Sequence, residues 1–193
     1  MSVPAARDRG VLTIPNVISV LRLLAVPLFL WLLLGDPRRP VAAGVLLAVL
    51  GASDWVDGYI ARRFDQGSEL GKVLDPTADR VLLLAAVAAL LIDGSVPLWL
   101  GALVLAREVV ISMAVVVLAA AGAARIDVQW AGKAGTLALM FGLPAFLLAE
   151  TSDWWLLWLA AWGFSLSGLL LSYYAAAQYL PLARAALREG RTR

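Results

Sequence analysis

Six apolar runs, each close to the length of a bilayer-spanning helix, occupy most of this 193-residue chain, at about 14–34, 40–63, 73–92, 97–122, 130–149 and 154–180. A helix crossing the hydrocarbon core of a bilayer needs about 20 predominantly apolar residues. Charged residues make up only 16% of the chain, against roughly a quarter in a water-soluble domain. With 62% hydrophobic residues there is too little polar surface to cover the fold, so the solvent for most of the chain is lipid. The runs predict an all-α integral membrane protein of six transmembrane helices, with residues 1–193 forming one membrane-embedded domain. The first run follows Arg7 and Arg9, as a signal peptide would. Its apolar stretch is too long for one, it carries Arg22, and no small-residue cleavage site follows.

The placement of basic residues predicts the orientation. With the N-terminus inside, the cytoplasmic segments hold Arg7, Arg9, Arg62, Arg63, Lys72, Arg125, Lys133, Arg184, Arg188, Arg191 and Arg193, eleven of the sixteen Lys and Arg. The outer loops hold Arg38 and Arg39 alone. Both termini are expected in the cytoplasm, in a bacterial-type inner membrane. Basic charge is spread between apolar runs and forms no stripe, so no nucleic acid partner is expected. Trp31, Trp99, Trp154 and Trp155 fall near run ends, where interfacial anchors sit. The tail from Pro181 to Arg193 alternates Ala and Leu with Arg. It is either a solvated basic end or a segment lying on the anionic inner leaflet.

Chemistry enters where the second run turns acidic. Asp54 and Asp57 are three residues apart, Asp75 and Asp79 four apart, so on helices each pair shares a face. Only the short stretch Arg63–Leu70 separates the two runs, so the four carboxylates are predicted to converge near the inner membrane surface. Unshielded, they would repel one another in a medium of low dielectric. Arg62, Lys72 and Arg80 offset part of that charge. A hard divalent cation offsets more, and all-oxygen ligation suits Mg²⁺, Mn²⁺ or Ca²⁺. Four carboxylates suffice for two ions, an arrangement that clamps a phosphate ester during displacement. The alternative is that the aspartates are helix caps and loop ion pairs; Asp75 before Pro76 reads as an N-cap. Gly58 and Ala61 either leave a hollow for a base or ribose, or allow close helix packing. Gly71 would let the backbone approach a ligand, and Arg62 offers a fork to a diphosphate. With no histidine and no cysteine in the chain, proton transfer falls to carboxylates, lysine, tyrosine or water.

The spacing D-x2-D-G-x2-A-R-x8-G-x3-D-x3-D, eight fixed positions over residues 54–79, resembles the signature of the CDP-alcohol phosphatidyltransferase family, with every position filled. The six-span plan extends the resemblance to nearly the whole chain. The resemblance implies a homodimer with a polar cavity facing the cytoplasm, in which a CDP-linked lipid, usually CDP-diacylglycerol, loses CMP to an alcohol. It implies that Asp54, Asp57, Asp75 and Asp79 hold Mg²⁺ or Mn²⁺, as two ions. Asp75 and Asp79 would be the catalytic pair, with Asp79 the general base on the attacking hydroxyl. Asp54, Gly58, Ala61, Arg62 and Gly71 would seat the cytidine and diphosphate.

The segments Ser53–Arg63 and Leu74–Arg80 most resemble the glycerol branch, which contains cardiolipin synthases and phosphatidylglycerophosphate synthases. Glycerol 3-phosphate is a small dianion and calls for several cations; phosphatidylglycerol carries one phosphodiester charge and calls for fewer. The candidate acceptor-site cations are Arg107, Lys133 and Arg125. Phosphatidylglycerophosphate synthases carry a G-K-x-K-T stretch, whereas this chain reads Gly132-Lys133-Ala134-Gly135-Thr136, lacking the second lysine. Ala106-Arg107-Glu108 nevertheless resembles those synthases. Phosphatidylglycerol is the expected acceptor and glycerol 3-phosphate the alternative; the alternative for Arg107 with Glu108 is a buried ion pair of purely structural use. A small ion or lipid transporter is the non-enzyme alternative, but it predicts acidic residues spread through the membrane depth. Here four are bunched at one face.

Overall fold

The computed structural model describes residues 13–64, 71–120 and 130–190. They form six α-helices: α1 (Ile14–Leu34), α2 (Pro40–Phe64), α3 (Gly71–Asp93), α4 (Leu98–Ala120), α5 (Trp130–Glu150) and α6 (Trp155–Gly190). Local chemistry explains their ends. Thr13 caps α1, its hydroxyl accepting from the Asn16 amide at 3.4 Å, with Pro15 in the first turn. Pro40 opens α2, where its missing N–H costs nothing. Gly94 stops α3 at φ +82°, a left-handed position suited to glycine, and its amide donates to Leu90 O at 3.0 Å. Pro97 then starts the turn into α4.

Among the described residues, Asn16–Leu34, Trp130–Glu150 and Trp155–Gln178 are long and apolar enough to cross a membrane. In α2 the described apolar stretch is Pro40–Ser53. The last helix runs ten residues past the predicted span. At about 1.5 Å per residue, its 36 residues outreach a hydrocarbon core about 30 Å thick. The tail of Ala, Leu and Arg is rich in strong helix formers, so the helix continues where its polar composition alone suggested an ending.

The chain divides into two compact units, Met1–Ala89 and Leu90–Arg193. In the first, α1 packs on α2; α1 buries Phe29 and Leu33, α2 buries Ala43 and Leu47, and α3 buries Leu82, Leu83, Ala86 and Val87. The buried face of α1 changes character along its length. Thr13, Asn16, Ser19 and Arg22 lie on it in the N-terminal half, and Val26, Phe29 and Leu33 in the C-terminal half. In the second unit, α5 packs along α6, and α4 packs on α6. Phe146 meets Trp158 and Trp162 edge-on at centroid distances of 6.1 and 5.3 Å, and Trp162 stacks on Trp99 at 5.8 Å. Many large apolar side chains remain exposed, among them Leu24, Ile92, Leu98 and Leu170. Exposed apolar side chains in such number are what a bilayer covers.

Candidate active site

The signature residues fall on two helices. Asp54, Asp57, Gly58, Ala61 and Arg62 all lie within α2, so the three-residue spacing of the first two carboxylates keeps them on one helical face. Gly71, Asp75 and Asp79 lie on α3, the last two one turn apart. The side chains of Asp54, Asp57, Ala61, Arg62 and Asp75 lie outside the described residues, and so does Arg125 altogether. Among the described residues there is no group of three or more acidic side chains. Asp75 is not the N-cap that Pro76 suggested: α3 is already helical from Gly71.

Asp79 has a described side chain, and one of its partners is a residue the sequence did not name. Its Oδ1 accepts an ion-paired hydrogen bond from Nη1 of Arg22 on α1. The Arg22 side chain is 0% exposed, while that of Asp79 keeps 23%. Nη2 of Arg22 also donates to Ser53 Oγ at 3.3 Å, and Ser53 in turn donates to Leu50 O at 2.7 Å. One guanidinium thus links α1, the residue immediately before Asp54 on α2, and the last signature aspartate, Asp79, on α3. In sequence, Arg62, Lys72 and Arg80 offset part of the aspartate charge; the side chains of Arg62 and Lys72 lie outside the described residues, Arg80 is exposed, and Arg22 is a further cation paired with Asp79. The available signal was a lone arginine in a long apolar run, an expensive placement that calls for a partner.

The candidate acceptor residues lie in the second unit. Arg107 and Glu108 on α4 are each 5% exposed and paired with one another. Nη2 of Arg107 also donates to Thr136 Oγ1 on α5 at 3.0 Å, and Thr136 donates to Gly132 O at 3.1 Å. Tyr173 on α6 donates to Leu103 O, one turn before Arg107, at 2.9 Å. The ion pair of Arg107 with Glu108 is thus present and buried. Lys133 is exposed on the first turn of α5. Gly135 is buried against α6: a Cβ there would lie 2.8 Å from Gly168 O and 2.9 Å from Ser172 N. It is a packing position, occupied by the one residue type that fits.

Residues 12–166 match the sequence model of the CDP-alcohol phosphatidyltransferase family. The chain belongs to that family. It is thus a CDP-alcohol phosphatidyltransferase, a membrane-embedded enzyme that transfers a phosphatidyl group. Among its relatives is the cardiolipin synthase (CMP-forming) of Streptomyces coelicolor, 41% identical over 185 residues, covering 92% of this chain and 86% of the relative. The CDP-diacylglycerol–glycerol-3-phosphate 3-phosphatidyltransferase of Escherichia coli K12 is 33% identical over 187 residues, covering 90% of this chain and 96% of that enzyme. A cardiolipin synthase (CMP-forming)/mitochondrial hydrolase fusion protein of Schizosaccharomyces pombe is 41% identical over 106 residues, which is 55% of this chain and 18% of the fusion. These relatives support both acceptor readings, cardiolipin synthesis and phosphatidylglycerophosphate synthesis.

Proposed function

We propose that this phosphatidyltransferase takes CDP-diacylglycerol as donor and phosphatidylglycerol as acceptor, releasing CMP and forming cardiolipin. The observation that carries the acceptor is the state of the cations. Arg107 is buried and neutralised by Glu108. Position 135, where a second lysine would stand, is closed by α6. A dianionic glycerol 3-phosphate needs several uncommitted cations, whereas a phosphodiester needs fewer. The 41% identity to a cardiolipin synthase over most of both chains supports the same choice. Glycerol 3-phosphate remains the second reading, favoured by the Ala106-Arg107-Glu108 segment and by the Escherichia coli relative.

In the proposed reaction the acceptor hydroxyl oxygen attacks the phosphatidyl phosphorus, and the bond from that phosphorus to the bridging oxygen of CMP breaks. The hydroxyl proton passes to the carboxylate of Asp79, and CMP leaves with the bridging oxygen. No histidine or cysteine exists to take that proton, so a carboxylate base suits the chemistry. Asp54, Asp57, Asp75 and Asp79 would hold Mg²⁺ or Mn²⁺. The donor set is all carboxylate, and the helical backbone keeps each pair on a shared face, which fits hard divalent cations. Bound there, the ions would withdraw charge from the diphosphate. Asp54, Gly58, Ala61, Arg62 and Gly71 would seat the nucleotide, with Gly58 and Ala61 leaving space and Arg62 presenting a fork. Loop charges support a site facing the cytoplasm of a bacterial-type inner membrane, with both termini on that side. The reading includes a homodimer.

The test is release of CMP from CDP-diacylglycerol by the purified chain, with phosphatidylglycerol or glycerol 3-phosphate supplied separately and the lipid product identified. Cardiolipin as the product supports the reading. Phosphatidylglycerophosphate as the sole product transfers it to the second acceptor, and no CMP with any alcohol overturns it.

A further inference from the structure

A membrane-embedded helix rarely buries an arginine, and α1 buries one at the end of a polar series. Thr13, Asn16, Ser19 and Arg22 recur every third residue and are all buried, while the same helix continues with Val26, Phe29 and Leu33. The polar half ends on a guanidinium that reaches two other helices at once. One arm meets Asp79 on α3, and the other donates to Ser53 on α2. Because Ser53 is anchored in turn to Leu50 O, the arginine is joined to the α2 backbone one turn before Asp54. A planar guanidinium holds its donors at fixed angles, so a single side chain sets the relative positions of Asp79 and Ser53. It is sealed from solvent, with 0% of its side chain exposed, and therefore acts through other groups and does not touch substrate.

We propose that Arg22 is a positioning residue for the transfer reaction, aiming the Asp79 carboxylate and tying it to the start of the acidic segment of α2. The proposal rests on the reading of Asp79 as the base. It makes the N-terminal half of α1 a third wall of the site, although that helix contributes nothing to the aspartate signature. Its contribution is geometric: a general base has to be held within hydrogen-bond reach of its proton, and a displacement of about 1 Å can cost about 100-fold in rate.

The test uses the full chain in detergent, with Arg22→Gln and Arg22→Lys compared to the parent. Active protein is counted by binding of CDP-diacylglycerol, so that kcat is expressed per binding site and a smaller folded fraction does not imitate a slower enzyme. Arg22→Gln is expected to lower kcat per site by about 10- to 100-fold, with KM for CDP-diacylglycerol within about twofold. Arg22→Lys, which keeps the charge and loses the fork, is expected to fall between the two. If Arg22→Gln does not accumulate, Arg22→Lys decides: a several-fold loss of kcat at constant KM upholds the proposal, and parental kcat overturns it. Parental kcat in Arg22→Gln overturns it as well. The underlying reading fails separately, by absence of CMP release from the parent chain or by full activity of Asp79→Asn.

Discussion

Gly135 of α5 lies so close to Ser172 of α6 that no methyl group fits between them. A Cβ at 135 would press on Ser172 Oγ and lie 2.8 Å from the Gly168 carbonyl oxygen and 2.9 Å from the Ser172 amide. Two of these neighbours are backbone, which cannot rotate away. The position that first looked like a missing acceptor-site lysine is where two helices touch.

Gly135→Ala is therefore expected to destabilise the protein by about 1–3 kcal/mol, the usual cost of overpacking, read as a lower midpoint of thermal unfolding in detergent. Gly135→Lys should reduce the yield of folded protein without improving use of glycerol 3-phosphate. A stable Gly135→Lys enzyme that turned over glycerol 3-phosphate faster would mean that α6 yields, and that the position does govern the acceptor.

The same seam supplies an internal control. At Gly142 an added Cβ would lie 2.7 Å from Ser165 N and 3.1 Å from its Cα, whereas at Gly163 nothing lies within 4 Å. Gly142→Ala should be destabilising by a similar amount. Gly163→Ala should be neutral or stabilising by up to about 1 kcal/mol, since alanine is the better helix former. Equal unfolding midpoints for the two variants would contradict the packing described for α5 and α6.

Arg107 and Glu108 make a third case. Removing one partner of a buried pair leaves an uncompensated charge, at a cost of about 3–5 kcal/mol. Arg107→Met should behave so, and the double change Arg107→Met with Glu108→Leu should recover much of the stability. If Arg107 instead serves the acceptor, the double variant will be stable yet will show a greatly raised KM for the acceptor. Measuring stability and acceptor KM on the same preparations separates the two roles.

Divalent cations and the aspartates are tested together. Chelation should abolish CMP release, and added Mg²⁺ or Mn²⁺ should restore it. Asp79→Asn should lower kcat by about 10²- to 10⁴-fold, the range for loss of a general base, while leaving CDP-diacylglycerol binding largely intact. Asp54→Asn, Asp57→Asn and Asp75→Asn should instead raise the cation concentration needed for half-maximal rate. Activity unchanged by chelators would remove the metal from the proposed reaction.

The sequence by itself determined the solvent, the helices and the reaction class. Runs of about 20 apolar residues commit the chain to helices, because lipid offers no partner for a bare backbone amide. The aspartates and small residues between Asp54 and Asp79 are read from spacing alone, since a helix converts spacing into a shared face. What only the tertiary structure decided are contacts between residues far apart in the chain. Arg22 and Asp79 are separated by 57 positions, and no local pattern announces that one neutralises the other. That Arg107 is buried and bonded to Thr136 of the next helix is likewise invisible in sequence. Gly135 reads as an absent lysine until α6 is laid against it. Helical periodicity is local and legible; which faces meet is settled only when distant segments exclude lipid between them.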